Sequence, residues 1–397
     1  MENEPKKRNR RPRKAKRWKK ALLILTALGV VAGVVFFAAQ GENEQPPTVP
    51  GMPDDTVIHL AAGGDLNITD DVVAAAHSDG SYRQAFMDVL HLLSNADLSV
   101  LNFEGNFCGA PYGSDNRSAP ASLANALASA GVDMLQLANS CSIRGGISGL
   151  ISTIDTVKNA GIEPLGVYRN KAEAAAGKGF TLMEVKGVRI AFVAFTKGMD
   201  GMTLPAGNEG CVNVLYEDYD STYQKVNTES ITQVMRNVKA AKADIVVAMV
   251  HWGSEFIDDI SPTQNKICTL LQENGADVII GTHPHYVQKM TFDKDKGTFV
   301  AYSLGDFFGD ATRAGSEYSI ILDLEITKNN VTGETKVTDY SYTPIFTVRE
   351  EGKPLRVVRI DPTMKAYENN YIDHVSKETY DAMAYALKRI EARIKGA

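Results

Sequence analysis

Cysteine is scarce in this chain. Four residues (Cys108, Cys141, Cys211 and Cys268) in 397 cannot form the framework of a disulfide-stapled protein, so an apolar core has to hold the fold. Cys268 sits in the apolar rhythm Ile267-Cys268-Thr269-Leu270-Leu271 and reads as a core residue. No internal repeat is present, and no low-complexity segment outside one short proline-rich stretch. Basic charge is also missing from most of the chain. Of 42 Lys and Arg, eleven fall in residues 1–20, and of 48 Asp and Glu only Glu2 and Glu4 do. Residues 21–397 therefore keep 31 basic and 46 acidic side chains, a net of −15. Such a body repels nucleic acid and other polyanions except at a local site or a bound metal. Histidine is rare too, seven in all, and three of the seven follow directly on two apolar runs.

What is present begins at the N-terminus. Residues 1–20 form a basic tail, and Ala21–Ala39 is nineteen residues without a charge, long enough to span a bilayer as a helix. The basic flank predicts a single-pass cell-membrane protein with a cytoplasmic N-terminus and an extracytoplasmic body. A cleaved signal peptide is the competing reading; its apolar region is usually shorter, and Phe37 stands where a small residue precedes cleavage. Residues 40–55 carry Pro46, Pro47, Pro50 and Pro53 and read as a semi-rigid linker.

From residue 56 to 348, apolar runs alternate with helical patterns, the mark of an α/β domain. Strands are predicted at 57–62, 98–102, 134–137, 189–195, 244–250, 277–280 and 298–302, and helices at 82–94, 119–130, 147–160, 228–241 and 263–274. Ser261-Pro262 reads as an N-cap with proline at the first helical position. Beyond Tyr302, residues 318–327 and 335–348 alternate as antiparallel strands. A C-terminal extension, 349–397, ends in a helical pattern over 377–394.

The chemistry gathers at strand ends, where α/β proteins place ligand sites. The run Val278-Ile279-Ile280-Gly281-Thr282 leads into His283-Pro284-His285, with Pro284 restricting the backbone between two imidazoles. The strand Ile245–Val250 leads into His251-Trp252-Gly253. Other strands end in Gly63-Gly64-Asp65, in Asn102-Phe103-Glu104-Gly105, in Asn139-Ser140-Cys141 and in Ser303-Leu304-Gly305-Asp306. Imidazole and carboxylate together suit one or two divalent transition ions, Zn, Mn or Fe. Asp65, Glu104, His251, His283 and His285 are the predicted metal ligands. Arg144 is a candidate for stabilising developing negative charge, and Asp306 reads as a turn-stabilising acid.

The ordered series Gly-Asp65, Asn102–Gly105, His251–Gly253, Gly281–His285 and Ala301–Phe307 resembles the capsule-synthesis protein CapA family, over roughly residues 57–308. That resemblance implies layered sheets flanked by helices, similar to the calcineurin-like metallophosphoesterases. It also implies work on a poly-γ-glutamate capsule at the cell surface, with an anionic polymer and capsule-synthesis membrane proteins as partners and no nucleic acid. Asp65, Glu104, His251, His283 and His285 match its metal positions, and His251 and Asn139 its catalytic ones. The pattern departs at one place: where the family shows Asn-Asn-His, this chain has Asn139-Ser140-Cys141. In the related phosphoesterases the second Asn is a metal ligand and the His assists the leaving group. Serine is a poor neutral ligand, whereas a cysteine can ligate as thiolate, act as a weak acid, or pair with Cys108. The chain also has Asp306 where the family has Asn. Both departures point to weak or absent catalysis, with an active metal-dependent phosphoesterase as the alternative.

Overall fold

A computed structural model describes residues 6–7, 54–76, 80–372 and 374–396. The rest of the basic tail, the apolar span Ala21–Ala39 and most of the linker lie outside the described residues. Among the described residues, no helix is long and apolar enough to cross a membrane.

The described strands are, in chain order, β1 (Lys6–Lys7), β2 (Thr56–Asn67), β3 (Leu98–Glu104), β4 (Met134–Gln136), β5 (Glu163–Leu165), β6 (Phe180–Val185), β7 (Val188–Thr196) and β8 (Ile245–His251). After these come β9 (Val278–Thr282), β10 (Met290–Asp293), β11 (Thr298–Ala301), β12 (Asp306–Phe308), β13 (Tyr318–Lys328), β14 (Thr335–Val348) and β15 (Arg356–Arg359). They form two sheets. One runs β1-β6-β7-β8-β9-β11-β10, the other β15-β14-β13-β2-β3-β4-β5, with β12 beside β2.

Side-chain alternation along the first sheet shows why it is sandwiched. Ile190, Phe192 and Ala194 of β7 join the large cluster that also holds Leu60, Ala62 and Val100 of the second sheet. Their neighbours Ala191, Val193 and Phe195 face the other way, onto Ile231, Val234 and Met235 of the helix Thr228–Ala241 and Ile267 and Leu271 of the helix Pro262–Glu273. Both faces are apolar, so the strand reads as one unbroken hydrophobic run, as buried parallel strands do. The second helix starts as its sequence predicts: Ser261 accepts from the Gln264 amide, Gln264 answers with its side chain, and Pro262 follows the cap.

Strands β7, β8, β9 and β11 are mutually parallel, as are β2, β3, β4 and β5. Within each sheet, then, the C-terminal ends gather at one edge. Strand β13 pairs antiparallel with β2, and β14 pairs antiparallel with β13, as their alternation predicts.

Three features differ from the sequence expectation. The helix predicted over 82–94 is two short helices, Arg83–Phe86 and Leu90–Ser94. Asp88, between them, accepts from the Arg359 backbone at 2.6 Å and from its guanidinium at 3.0 Å, tying the break to β15. The C-terminal extension contributes a strand that the sequence reading did not contain, since β15 pairs with the end of β14; Arg393 of the last helix, Lys377–Lys395, lies over the Tyr286 ring. Finally, Lys6–Lys7 runs parallel to Met183–Glu184.

Candidate metal centre

The strand ends of the two sheets meet where β2 and β9 finish. Gly64 makes this approach possible: a Cβ there would lie 1.8 Å from the Gly305 carbonyl oxygen. The Asp65 amide donates to that same oxygen at 2.9 Å, and Asp65 and Asp306 become register partners. Across the sheets, the His283 amide donates to Asp65 Oδ2 at 3.0 Å, fixing the β9 loop to the β2 end.

That loop is held in an unusual backbone. His283 and His285 have φ of 92° and 58°, a left-handed conformation that costs of order 1–3 kcal/mol at a non-glycine residue. The pairing of a positive φ with Pro284 turns both imidazoles into the protein, where both residues are buried. His285 Nδ1 lies 2.7 Å from Asp306 Oδ1 and 3.6 Å from Asp65 Oδ2, while its Nε2 lies 3.6 Å from Glu104 Oε2. His283 Nδ1 is 3.9 Å from Glu104 Oε1, beyond hydrogen-bond length, and has no hydrogen-bond partner. His251 Nε2 is 2.8 Å from Glu104 Oε1, and its other nitrogen is 3.2 Å from the Thr196 hydroxyl.

Two groups of potential ligands result, Glu104-His283-His285 and Asp65-His285-Asp306, all buried and sharing His285. The structure thus brings together Asp65, Glu104, His251, His283 and His285, and adds Asp306, whose sequence reading was only a turn acid. Asn102 was missed. Its amide donates to Asp65 Oδ1 at 2.6 Å and accepts from Asn139, steering the carboxylate. Thr196-Lys197-Gly198 was missed as well. It carries the same signature as the other strand ends, an apolar run followed by a polar residue and glycine, but lysine is not a metal ligand and so falls outside a pattern of imidazoles and carboxylates.

Asn139 and Arg144 are placed differently. The Asn139 amide nitrogen donates to the Phe103 carbonyl at 2.7 Å and to Asn102, while its oxygen accepts from the Cys141 amide at 3.0 Å. Every end of that side chain is occupied in holding the loop against β3. Arg144 reaches the Asp115 carbonyl at 3.2 Å and stands 3.5 Å from Asp200, outside the buried cluster. Ser140 donates to Glu104 Oε1 at 2.6 Å. Cys141 is buried, and its thiol is pushed far up by burial and then by the Glu104 charge, so it stays protonated. Cys108 and Cys141 are both free thiols.

The electrostatics test whether an ion fits. Burial raises Asp65 to about 8, assisted by Glu104 and Asp306. Burial also raises Asp306. Burial opposes the charge on Glu104, but His285, the His251 hydrogen bond and the nearby His283 outweigh it and hold Glu104 well below its usual value. For His285, burial is outweighed by Asp306, Glu104 and Asp65, which push it well up. Burial and the His251 charge push His283 down to about 3, leaving a neutral imidazole with a free nitrogen. Of three potential carboxyl charges, a proton on Asp65 and a charge on His285 thus offset two. A divalent cation would offset the remaining charge, and the neutral, unpartnered His283 nitrogen is the form a metal takes. The donor set fits a transition ion.

The bacterial capsule synthesis protein family PGA_cap matches residues 59–311, and the chain belongs to that family. It is 27% identical over 280 residues to the capsule biosynthesis protein CapA of Bacillus anthracis, covering 70% of this chain and 61% of the relative. It is 26% identical over 229 residues to the PGA biosynthesis protein CapA of Bacillus subtilis (strain 168), covering 57% and 56%. The chain therefore spans about three-fifths of the length of these curated relatives. Among solved structures it is similar to a hypothetical protein of Thermus thermophilus (16% identity, TM-score 0.44, 72% of this chain and 98% of that one). A phosphatase of Mycoplasma pneumoniae has 13% identity, a TM-score of 0.44, and coverage of 74% and 95%.

Proposed function

We propose that this chain is a membrane-anchored, extracytoplasmic component of capsule assembly, export or retention that binds an anionic polymer through a metal-loaded centre and turns substrate over weakly or not at all. The two buried ligand groups, which share His285 and set three carboxyls against two imidazoles, carry the reading. Asp65, Glu104, His283, His285 and Asp306 would hold the ion, with His251 fixing Glu104. When bound, the metal supplies an electrophile able to polarise a phosphoryl or acyl oxygen.

The chain's own residues supply the rest. Asn102 and the His283 amide orient Asp65, Thr196 orients His251, and Ser140 fixes Glu104. Beside this frame no group is poised to protonate a leaving oxygen from the loop after β4. Cys141 is held as a thiol and Asn139 is turned into the backbone. General acid catalysis is worth about 10²–10⁴-fold, and its loss supports binding over turnover. The shared ligand cluster favours the alternative, an active metal-dependent phosphoesterase.

Full-length protein purified in detergent decides between them. Expected are at least one transition ion per chain, capture of poly-γ-glutamate that chelator abolishes, and little hydrolysis of a phosphodiester with Mn²⁺ or Zn²⁺. Turnover that rises in step with metal occupancy establishes the phosphoesterase instead, and a metal-free protein under replete conditions refutes both. For topology, protease added to intact cells is expected to digest the body and spare the basic tail.

A further inference from the structure

We infer that Lys197 receives a single anionic group of the ligand at this centre, a proposal that rests on reading the centre as a binding site. Lys197 follows the last residue of β7, and its backbone is pinned by the His251 carbonyl at 2.8 Å. Its ammonium donates to the Gly253 carbonyl at 2.7 Å, stands 3.5 Å from His283 Nε2 and lies 4.9 Å over the Tyr223 ring. No carboxylate of the described residues comes within 4.0 Å of it. An ammonium has three hydrogens to give. One is engaged by Gly253 and the imidazole contact is long, so donor capacity remains.

That capacity opens on a cavity of about 250 Å³ lined by Lys197, His283, Ser140, Tyr223, Asp200 and Glu255. The volume is below the ~300–1,000 Å³ of drug-sized sites, so the cavity takes an end group and not a length of polymer. Asp200 and Glu255 repel a uniformly negative ligand everywhere except at Lys197. A cation placed against the ligand imidazole and flanked by two acids selects one carboxylate or one phosphoryl group, and orients it toward the centre.

The test titrates full-length protein of measured metal content with inorganic phosphate and, separately, with L-glutamate, by calorimetry. Wild type is compared with K197Q, K197R and, as a surface control, K296Q. The expected result is a loss of about tenfold or more in K197Q for the anion that binds, with K197R within about threefold of wild type, because the charge-assisted bond survives in arginine. K296Q binds as wild type. A loss confined to phosphate assigns a phosphoryl group, and one confined to glutamate assigns a carboxylate. The proposal is overturned if wild type binds neither anion, or if K197Q lowers the melting temperature yet binds as wild type, which makes Lys197 a prop for Gly253. A metal-free protein whose anion affinity still falls in K197Q refutes the metal reading and keeps this one.

Discussion

Two loops leave parallel strands toward the same centre and do opposite things there. After β9, His283-Pro284-His285 adopts a left-handed backbone at both histidines and delivers two imidazoles, one with a free nitrogen, among buried carboxyls. After β4, Asn139-Ser140-Cys141 folds its polar atoms back on the protein. Asn139 holds β3, Ser140 holds Glu104, and Cys141 is sealed as a neutral thiol. A strand end therefore gives a residue its address but not its task. The task depends on whether local hydrogen bonds leave a donor atom over, and on whether the backbone accepts strain to aim it.

The largest effect expected is on the loop after β9. Replacing His283 and His285 together by alanine should remove the bound metal altogether, measured as ions per purified chain, while Ser140→Ala should retain it. Equal metal in the double variant and wild type would erase the contrast between the loops. A smaller change converts the second loop toward the first. Ser140→Asn with Cys141→His should raise phosphodiester turnover by about 10²-fold or more if a missing general acid is what limits the site. No gain in a variant with full metal content would show that the limit lies elsewhere.

The smallest effect lies at the opposite end of β9, away from any ion. Burial raises Asp277 to about 6 from 3.8, against a hydrogen bond from the Val246 amide. Because the folded-state value is the higher one, the stabilising contribution is complete below about pH 4 and is lost as pH rises through about 6. At about 1.4 kcal/mol per unit, reduced for partial exposure, the loss is about 1–3 kcal/mol. Asp277→Asn should flatten the melting temperature between pH 4 and 7. An unchanged slope would assign it to other groups.

Much of this was legible in the chain. The apolar runs marked β3, β7, β8 and β9, and the Gly-Thr-His-Pro-His run announced its own loop. Less visible were β5, whose central Pro164 argues against a strand, and β12, three residues within a segment read as a strand-end loop. The helix expected over 82–94 failed at Asp88, whose partner Arg359 is 271 residues away. Asn139 illustrates the same limit in the site. Its residue type suits a ligand, but only the fold shows that Asn102 and Phe103 have already claimed its amide. Lys197 was hidden for a different reason: its role depends on which groups share its cavity, Asp200 and Glu255 among them, and on none pairing with it directly, which the sequence does not display.

The contact of Gly64 with the Gly305 carbonyl has a further consequence. It is a gauge block that sets the gap between two acids from outside the ligand shell. A methyl group at position 64 would act as a wedge, parting Asp65 from Asp306 while leaving every donor atom intact. Gly64→Ala thus separates the spacing of a metal site from its composition, two properties that substituting the ligands always changes together.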